Sequence, residues 1–129
     1  MLKIGSIVGL NDNSGAFNLK ILNYKKKKTF KTSYAKVSDI VVGVIKDHNI
    51  YKKKLLLKSK DKVNAIIVCT KKKYSKKNGI FISFSKNRCI PLKITRFIVP
   101  VASWVYTPVF YELRYFKKFK VISKLSKNF

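Results

Sequence analysis

The stretch Asp61-Lys62-Val63-Asn64-Ala65-Ile66-Ile67-Val68-Cys69-Thr70 runs straight into Lys71-Lys72-Lys73. Its Ala65-Ile66-Ile67-Val68 centre has no polar partner at alternate positions, so it predicts a strand covered on both faces, cut off by a block of charge. Upstream, residues 37–46 read as another strand through Ile40, Val41, Val42, Val44 and Ile45, and residues 4–10 as a first one. Asn11-Asp12-Asn13-Ser14-Gly15 stacks five turn formers between the first strand and an alternating segment at 18–23. Downstream, Asn78-Gly79 is a hairpin-turn dipeptide ahead of Ile80, Ile82 and Phe84, and a turn at Lys86-Asn87 leads to a short strand over 88–92. Five or six strands with few helical signals predict an all-β-dominated fold. Beyond Pro100, Glu112, Leu113, Phe116, Phe119, Val121, Ile122 and Leu125 fit short helical faces better than a strand.

Charge decides the class of partner. Among 129 residues, 30 Lys and Arg face 5 Asp and Glu, a net charge of +25 that would repel itself in a compact monomer unless a polyanion neutralised it. Ten lysines lie in three runs, Lys25-Lys26-Lys27-Lys28, Lys52-Lys53-Lys54 and Lys71-Lys72-Lys73, each in a connection between expected strands. Lysine offers a point charge rather than a bidentate fork, which suits phosphate and shape better than base edges. A nucleic acid is therefore the leading partner, and an anionic membrane surface the second.

Other chemistry finds little support. The five acids are scattered without a carboxylate pair, and the sole histidine, His48, sits in a Lys-rich loop where a solvated imidazole is expected. Single, dispersed glycines form no phosphate cradle. Cys69 and Cys89 have apolar neighbours and read as small buried side chains, and with one histidine they make no metal site. No catalytic residue, metal or cofactor is expected. The uncharged stretch 97–111 is broken by Pro100 and Pro108 and is too short to span a bilayer. With no arginine before Arg88 and no small-residue cleavage pattern, neither a secretory signal nor an Arg-rich transit peptide is read, so the chain is expected to be mature or made where it works.

Seven segments, in order, resemble the universal large-subunit ribosomal protein fourteen family. Asp12-Asn13-Ser14-Gly15-Ala16 is similar to its DNSGA motif, Val37-Ser38-Asp39-Ile40-Val41-Val42 to VGDII, and 61–70 with the following lysines to GDVxxAVVVRTKK. Asn78-Gly79-Ile80-Phe81-Ile82-Ser83-Phe84 resembles DGSxIRF. Thr95-Arg96-Phe97 with Pro100-Val101 resembles TRIFGPV, and Glu112-Leu113-Arg114 with Phe119-Lys120-Val121-Ile122-Ser123 resembles the ELR and FMKIIS end. The resemblance covers nearly the whole chain and implies one domain over 1–129. Its expected core is a small five-stranded β-barrel with a protruding basic hairpin, and a C-terminal helical extension and insertion occupy about 100–129.

The same resemblance implies a structural constituent of the large ribosomal subunit. Its implied partners are large-subunit rRNA near the intersubunit face, small-subunit rRNA at intersubunit bridges, and neighbouring ribosomal proteins, with no membrane and no small-molecule substrate. Carried over by position, Asn13, Ser14, Lys71, Lys72, Lys73, Arg96 and Arg114 become expected RNA contacts, beside the other lysine runs. The chain departs from the family pattern at Ser38 and Lys60 (turn glycines), Cys69 (an arginine), Lys86 and Val99 (glycines), so those turns are expected to differ locally. Residues 103–111 read as an insertion whose Trp104, Tyr106, Phe110 and Tyr111 serve either as core filling or as a contact with RNA or a protein. Enrichment in Lys, Ile, Asn, Phe and Tyr fits a small AT-rich genome, which points to a mitochondrial ribosome, with plastid and bacterial ribosomes as alternatives. Two other classes compete. A free single-strand nucleic-acid-binding barrel would stack bases on Phe81 or Tyr74, and a membrane-surface protein would need an amphipathic helix, weakly suggested at 113–125.

Overall fold

The computed structural model describes residues 2–25, 34–52, 56–110 and 113. Its strands are β1 (Ile7–Leu10), β2 (Ala16–Tyr24), β3 (Ile40–His48), β4 (Lys62–Cys69), β5 (Tyr74–Ser75), β6 (Phe81–Ile82), β7 (Arg88–Ile94) and β8 (Ile98–Pro100). Neighbours β1-β2-β3-β4-β7 pair antiparallel in that order, and β1 then pairs parallel with β7 through Gly9↔Arg88 and Leu10↔Cys89. The sheet thus closes into the five-stranded barrel that the family resemblance implies. β8 extends β7 at its far end, through Leu92↔Pro100 and Ile94↔Ile98, and β5 and β6 form a separate hairpin beside the barrel. The expected C-terminal helices fall outside the described residues, apart from Leu113.

Two cores explain the β4 sequence. Ala65 and Ile67 point into the barrel with Val8, Leu19, Ile21, Val41, Ile45 and Cys89. Ile66, Val68 and Cys69 belong to a second cluster outside it, with Ile90, Leu92, Val105, Val109, Phe110 and Leu113. Residues Ala65 to Val68 are buried because alternate side chains serve different cores, and the register shift against β7 between Ile67 and Cys69 puts Cys69 in the outer core beside Val68. The cover for the outer face is the uncharged stretch after β8, which wraps back over β4 and β7.

Closure requires curvature, and the register shifts supply it. β2 slips against β3 at three places, between Ala16 and Asn18, Asn18 and Leu19, and Ile21 and Asn23. Gly43 faces Ile21 at the last of these. A Cβ on Gly43 would meet the Leu19 side chain and stand 2.7 Å from the Lys20 carbonyl oxygen, so the two strands approach more closely there than any side chain allows. Gly43→Ala is expected to lower stability by about 1–3 kcal/mol, read as a shift in denaturant midpoint. An unchanged midpoint would show that the strands can separate at no cost.

Two matching turns set the β3 and β4 registers. In each, the Asp amide donates to the carbonyl three residues back, Asp39 to Lys36 (3.2 Å) and Asp61 to Lys58 (3.3 Å). Each Asp carboxylate in turn accepts from that residue's amide, at 2.8 Å from Lys36 and 2.9 Å from Lys58. The third residue is left-handed in both, Ser38 at φ 71° and Lys60 at φ 69°. These are the positions where the sequence departs from turn glycines, and the backbone keeps the conformation a glycine would adopt without a Cβ penalty. Ser38→Gly and Lys60→Gly are each expected to raise stability by about 0.5–1 kcal/mol, the strain relieved exceeding the entropy glycine adds to the unfolded chain. A fall in melting temperature for both would overturn this account.

Other boundaries differ from expectation for local reasons. Ile4 and Gly5 form a turn, with Gly5 at φ 89°, so β1 begins only at Ile7. β8 lay in a stretch whose prolines hid it, and the hairpin strands are two residues long. Lysine is not confined to connections, since Lys20, Lys46, Lys62 and Lys93 lie within strands. His48 ends β3 half-buried and its Nδ1 accepts the Ser59 amide at 3.2 Å, so it is a structural acceptor rather than a free imidazole.

Candidate nucleic-acid interface

The 11–15 loop is a socket. Asn11 is fully buried, and its Oδ1 accepts from the Thr107 amide (3.2 Å) and hydroxyl (2.7 Å) while its Nδ2 donates to the Thr107 carbonyl at 3.4 Å. The Tyr106 amide donates to the Asn11 carbonyl, and Asn13 exchanges bonds with Trp104, its Oδ1 accepting and its amide donating. Asp12 bridges Val105. The loop therefore grips 104–107 as a short ladder and turns Val105 inward, leaving Trp104 and Tyr106 each 62% exposed. Of the two readings of the insertion, Phe110 and Val105 take the core and Trp104 and Tyr106 the surface. Tyr111 lies outside the described residues.

Ser14 is fully buried, and its amide and hydroxyl both donate to Asp12 Oδ1, at 3.3 and 2.7 Å. It shapes the loop from within. Asp12 Oδ2 is buried with no hydrogen-bond partner among the described residues. Burial raises the Asp12 pKa above the ordinary carboxylate value, opposed by the Ser14 hydroxyl and amide and by the charge of Lys52. A raised native pKa means the folded chain holds this proton more tightly than the unfolded one. Asp12 thus favours folding most below about pH 4, where the unfolded residue titrates, and that contribution is lost as pH rises through the native value. Relative to Asp12→Asn, wild-type stability is expected to fall as pH rises above about 4. Urea midpoints whose difference stays flat would contradict it.

The thiols are inert by the same physics. Burial pushes the Cys69 thiol up to about 12 against the opposing pull of Arg88 and Thr107, and its Sγ donates to the Pro108 carbonyl at 3.3 Å. Burial, aided by the Asp12 charge, raises Cys89 as well.

The cations fall into groups. Lys25 directly follows β2, its amide donating to the Ile40 carbonyl at the start of β3. Lys71, Lys72 and Lys73 are exposed in the connection from β4 to β5, a loop fixed by the Lys71 amide donating to Asn87 Oδ1 at 2.9 Å and by the Thr70 hydroxyl donating to the Lys72 carbonyl at 3.3 Å. Lys36, just before β3, comes beside Lys72 and Lys73 across a shared recess. Lys52 is at the socket, its Nζ donating to the Asn13 carbonyl. Arg96 is exposed in the β7–β8 turn, in neither group. Lys26, Lys27, Lys28, Lys53, Lys54 and Arg114 lie outside the described residues. Sequence reasoning missed Lys36 as a member, since it stands alone outside the three lysine runs. It also missed Asn11, which has no signal beyond its place in a turn-forming run.

Beyond these loops, the hairpin turns through Gly79 at φ 81° and exposes Ile80 and Phe81 at its tip. Tyr74 at its base packs on Phe110 with ring centroids 5.0 Å apart. A closed barrel with runs of lysine on its connections and a projecting hairpin defines the class of basic, scaffold-like barrel proteins. The chain belongs to the ribosomal protein L14p/L23e family, whose model matches residues 1–129. It is accordingly a structural rather than enzymatic component of the large ribosomal subunit, with ribosomal RNA and other ribosomal proteins as its partners.

Proposed function

We propose that the barrel is a rigid spacer that docks on large-subunit rRNA near the intersubunit face. Lys25, Lys52, Lys71, Lys72, Lys73 and Arg96 meet phosphates, joined by Lys26, Lys27, Lys28, Lys53, Lys54 and Arg114. Asn13 and Ser14 act by holding the socket loop in shape. The observation that carries this reading is the gathering of Lys36, Lys72 and Lys73 around one recess, a local concentration of positive charge that suits a phosphate. Small-subunit rRNA at intersubunit bridges and neighbouring ribosomal proteins complete the contacts, for which the exposed Trp104 and Tyr106 offer anchors. The residue bias toward Lys, Ile and Asn supports a mitochondrial ribosome as its home.

The test is sucrose-gradient sedimentation of a tagged copy from an organelle lysate, before and after a high-salt wash. Co-migration with the large subunit and whole ribosomes is expected. Sedimentation near the top would reject this reading in favour of a free single-strand nucleic-acid-binding barrel. That alternative would stack bases on Phe81, which is 65% exposed, and on the outer face of Tyr74, which Phe110 braces.

A further inference from the structure

Between residues 35–37 and 70–75 lies a recess of about 280 Å³, just below the usual size range of small-molecule sites. Its walls are preformed. Ala35 is tied to Leu2 by amide–carbonyl bonds in both directions (2.6 and 3.1 Å), and the Ser38 amide next to Val37 donates to the Ile67 carbonyl at 2.9 Å. On the other side Tyr74 is 38% exposed, its ring braced from behind by Phe110 at a 59° tilt. Lys36, Lys72 and Lys73 line the same space, and the Lys36 Nζ stands 5.6 Å from the centre of the Tyr34 ring.

Apolar walls, one braced aromatic ring and three cations describe an occupant that is flat and apolar at one end and anionic at the other. An uncharged peptide segment satisfies the first requirement without the second, and a bare phosphate the second without the first. We propose that the recess receives one unstacked base of the bound RNA, lying against Val37 and Tyr74 over the buried Ala35, with its own phosphate on Lys36, Lys72 and Lys73. Single-stranded RNA is recognised in this manner, by a splayed base on an aromatic surface. The assignment rests on the RNA-binding reading and adds to it a place where a base, rather than the backbone alone, is held.

The test is a titration of the full chain with adenosine monophosphate and, separately, with ribose phosphate, following the Ala35 and Val37 methyl and Tyr74 ring resonances. The nucleotide is expected to move all three and to bind about tenfold more tightly than ribose phosphate. Ser75→Trp, at an exposed position lining the recess, fills it while leaving every cation in place. It should abolish the tenfold gap and leave the ribose phosphate titration unchanged. Equal affinities in the wild-type chain, or a gap that survives Ser75→Trp, overturn the proposal. The salt dependence of rRNA binding in the same preparations separates the two failures. A steep slope with equal affinities removes the base site alone, and no slope removes the RNA-binding reading with it.

Discussion

Replacing Lys71, Lys72 and Lys73 together by Gln is expected to make the log–log salt slope of rRNA binding shallower by about 3, and to weaken binding about a hundredfold near 0.15 M salt. Each lysine that meets a phosphate releases roughly one condensed counterion, so three lost contacts appear as about three units of slope. Folding should be spared. All three side chains are exposed, and the bonds that hold the loop run from the Lys71 amide to Asn87 and from Thr70 to the Lys72 carbonyl, which Gln leaves intact. Binding measured at several salt concentrations separates this from a mere loss of affinity. A lower affinity at unchanged slope would mean that the lysines act through something other than phosphate.

Phe110→Ala should be the most damaging single truncation in the outer core. Phe110 is fully buried, meets Phe84 edge-on with centroids 4.9 Å apart, and braces Tyr74 at 5.0 Å. Losing its ring costs about 3–5 kcal/mol, a large part of the 5–15 kcal/mol that holds a domain of this kind together. The loss should also be felt at a distance, because Tyr74 begins the hairpin strand β5. Trypsin cleavage at Lys76 and Lys77 should accelerate along with the fall in denaturant midpoint. A drop below about 1 kcal/mol would mean that the 104–110 segment covers β4 without stabilising it.

The strands were legible because they carry local signals, and their closure into a barrel came from the family resemblance. Ala65-Ile66-Ile67-Val68 has the continuous apolar run of a doubly covered strand, and Asn78-Gly79 names its own turn. What covered the second face of β4 was not legible. Its cover is irregular chain interrupted by Pro108, held by Asn11 and Asn13 to partners 96 and 91 residues away, and no local period announces such a partner. Asparagine in a turn-forming run signals a turn whether or not its amide is also a clamp. Lys36 was hidden in the same way, since its neighbours Lys72 and Lys73 lie one strand pair away in space and far along the chain. Where the sequence broke a turn pattern, at Ser38 and Lys60, the hydrogen bonds around each Asp proved strong enough to keep the backbone left-handed regardless.

The parallel seam between β1 and β7 bears on how the molecule is made. Synthesis delivers β1, β2, β3 and β4 in an order that lets each pair with the one before it, so a four-stranded antiparallel sheet can assemble as it emerges. Its first strand then waits with one edge unpaired until Arg88 and Cys89 arrive to meet Gly9 and Leu10. Closure is therefore the late, slow, long-range event of folding, and until it happens the open edge of β1 can be captured by any other strand.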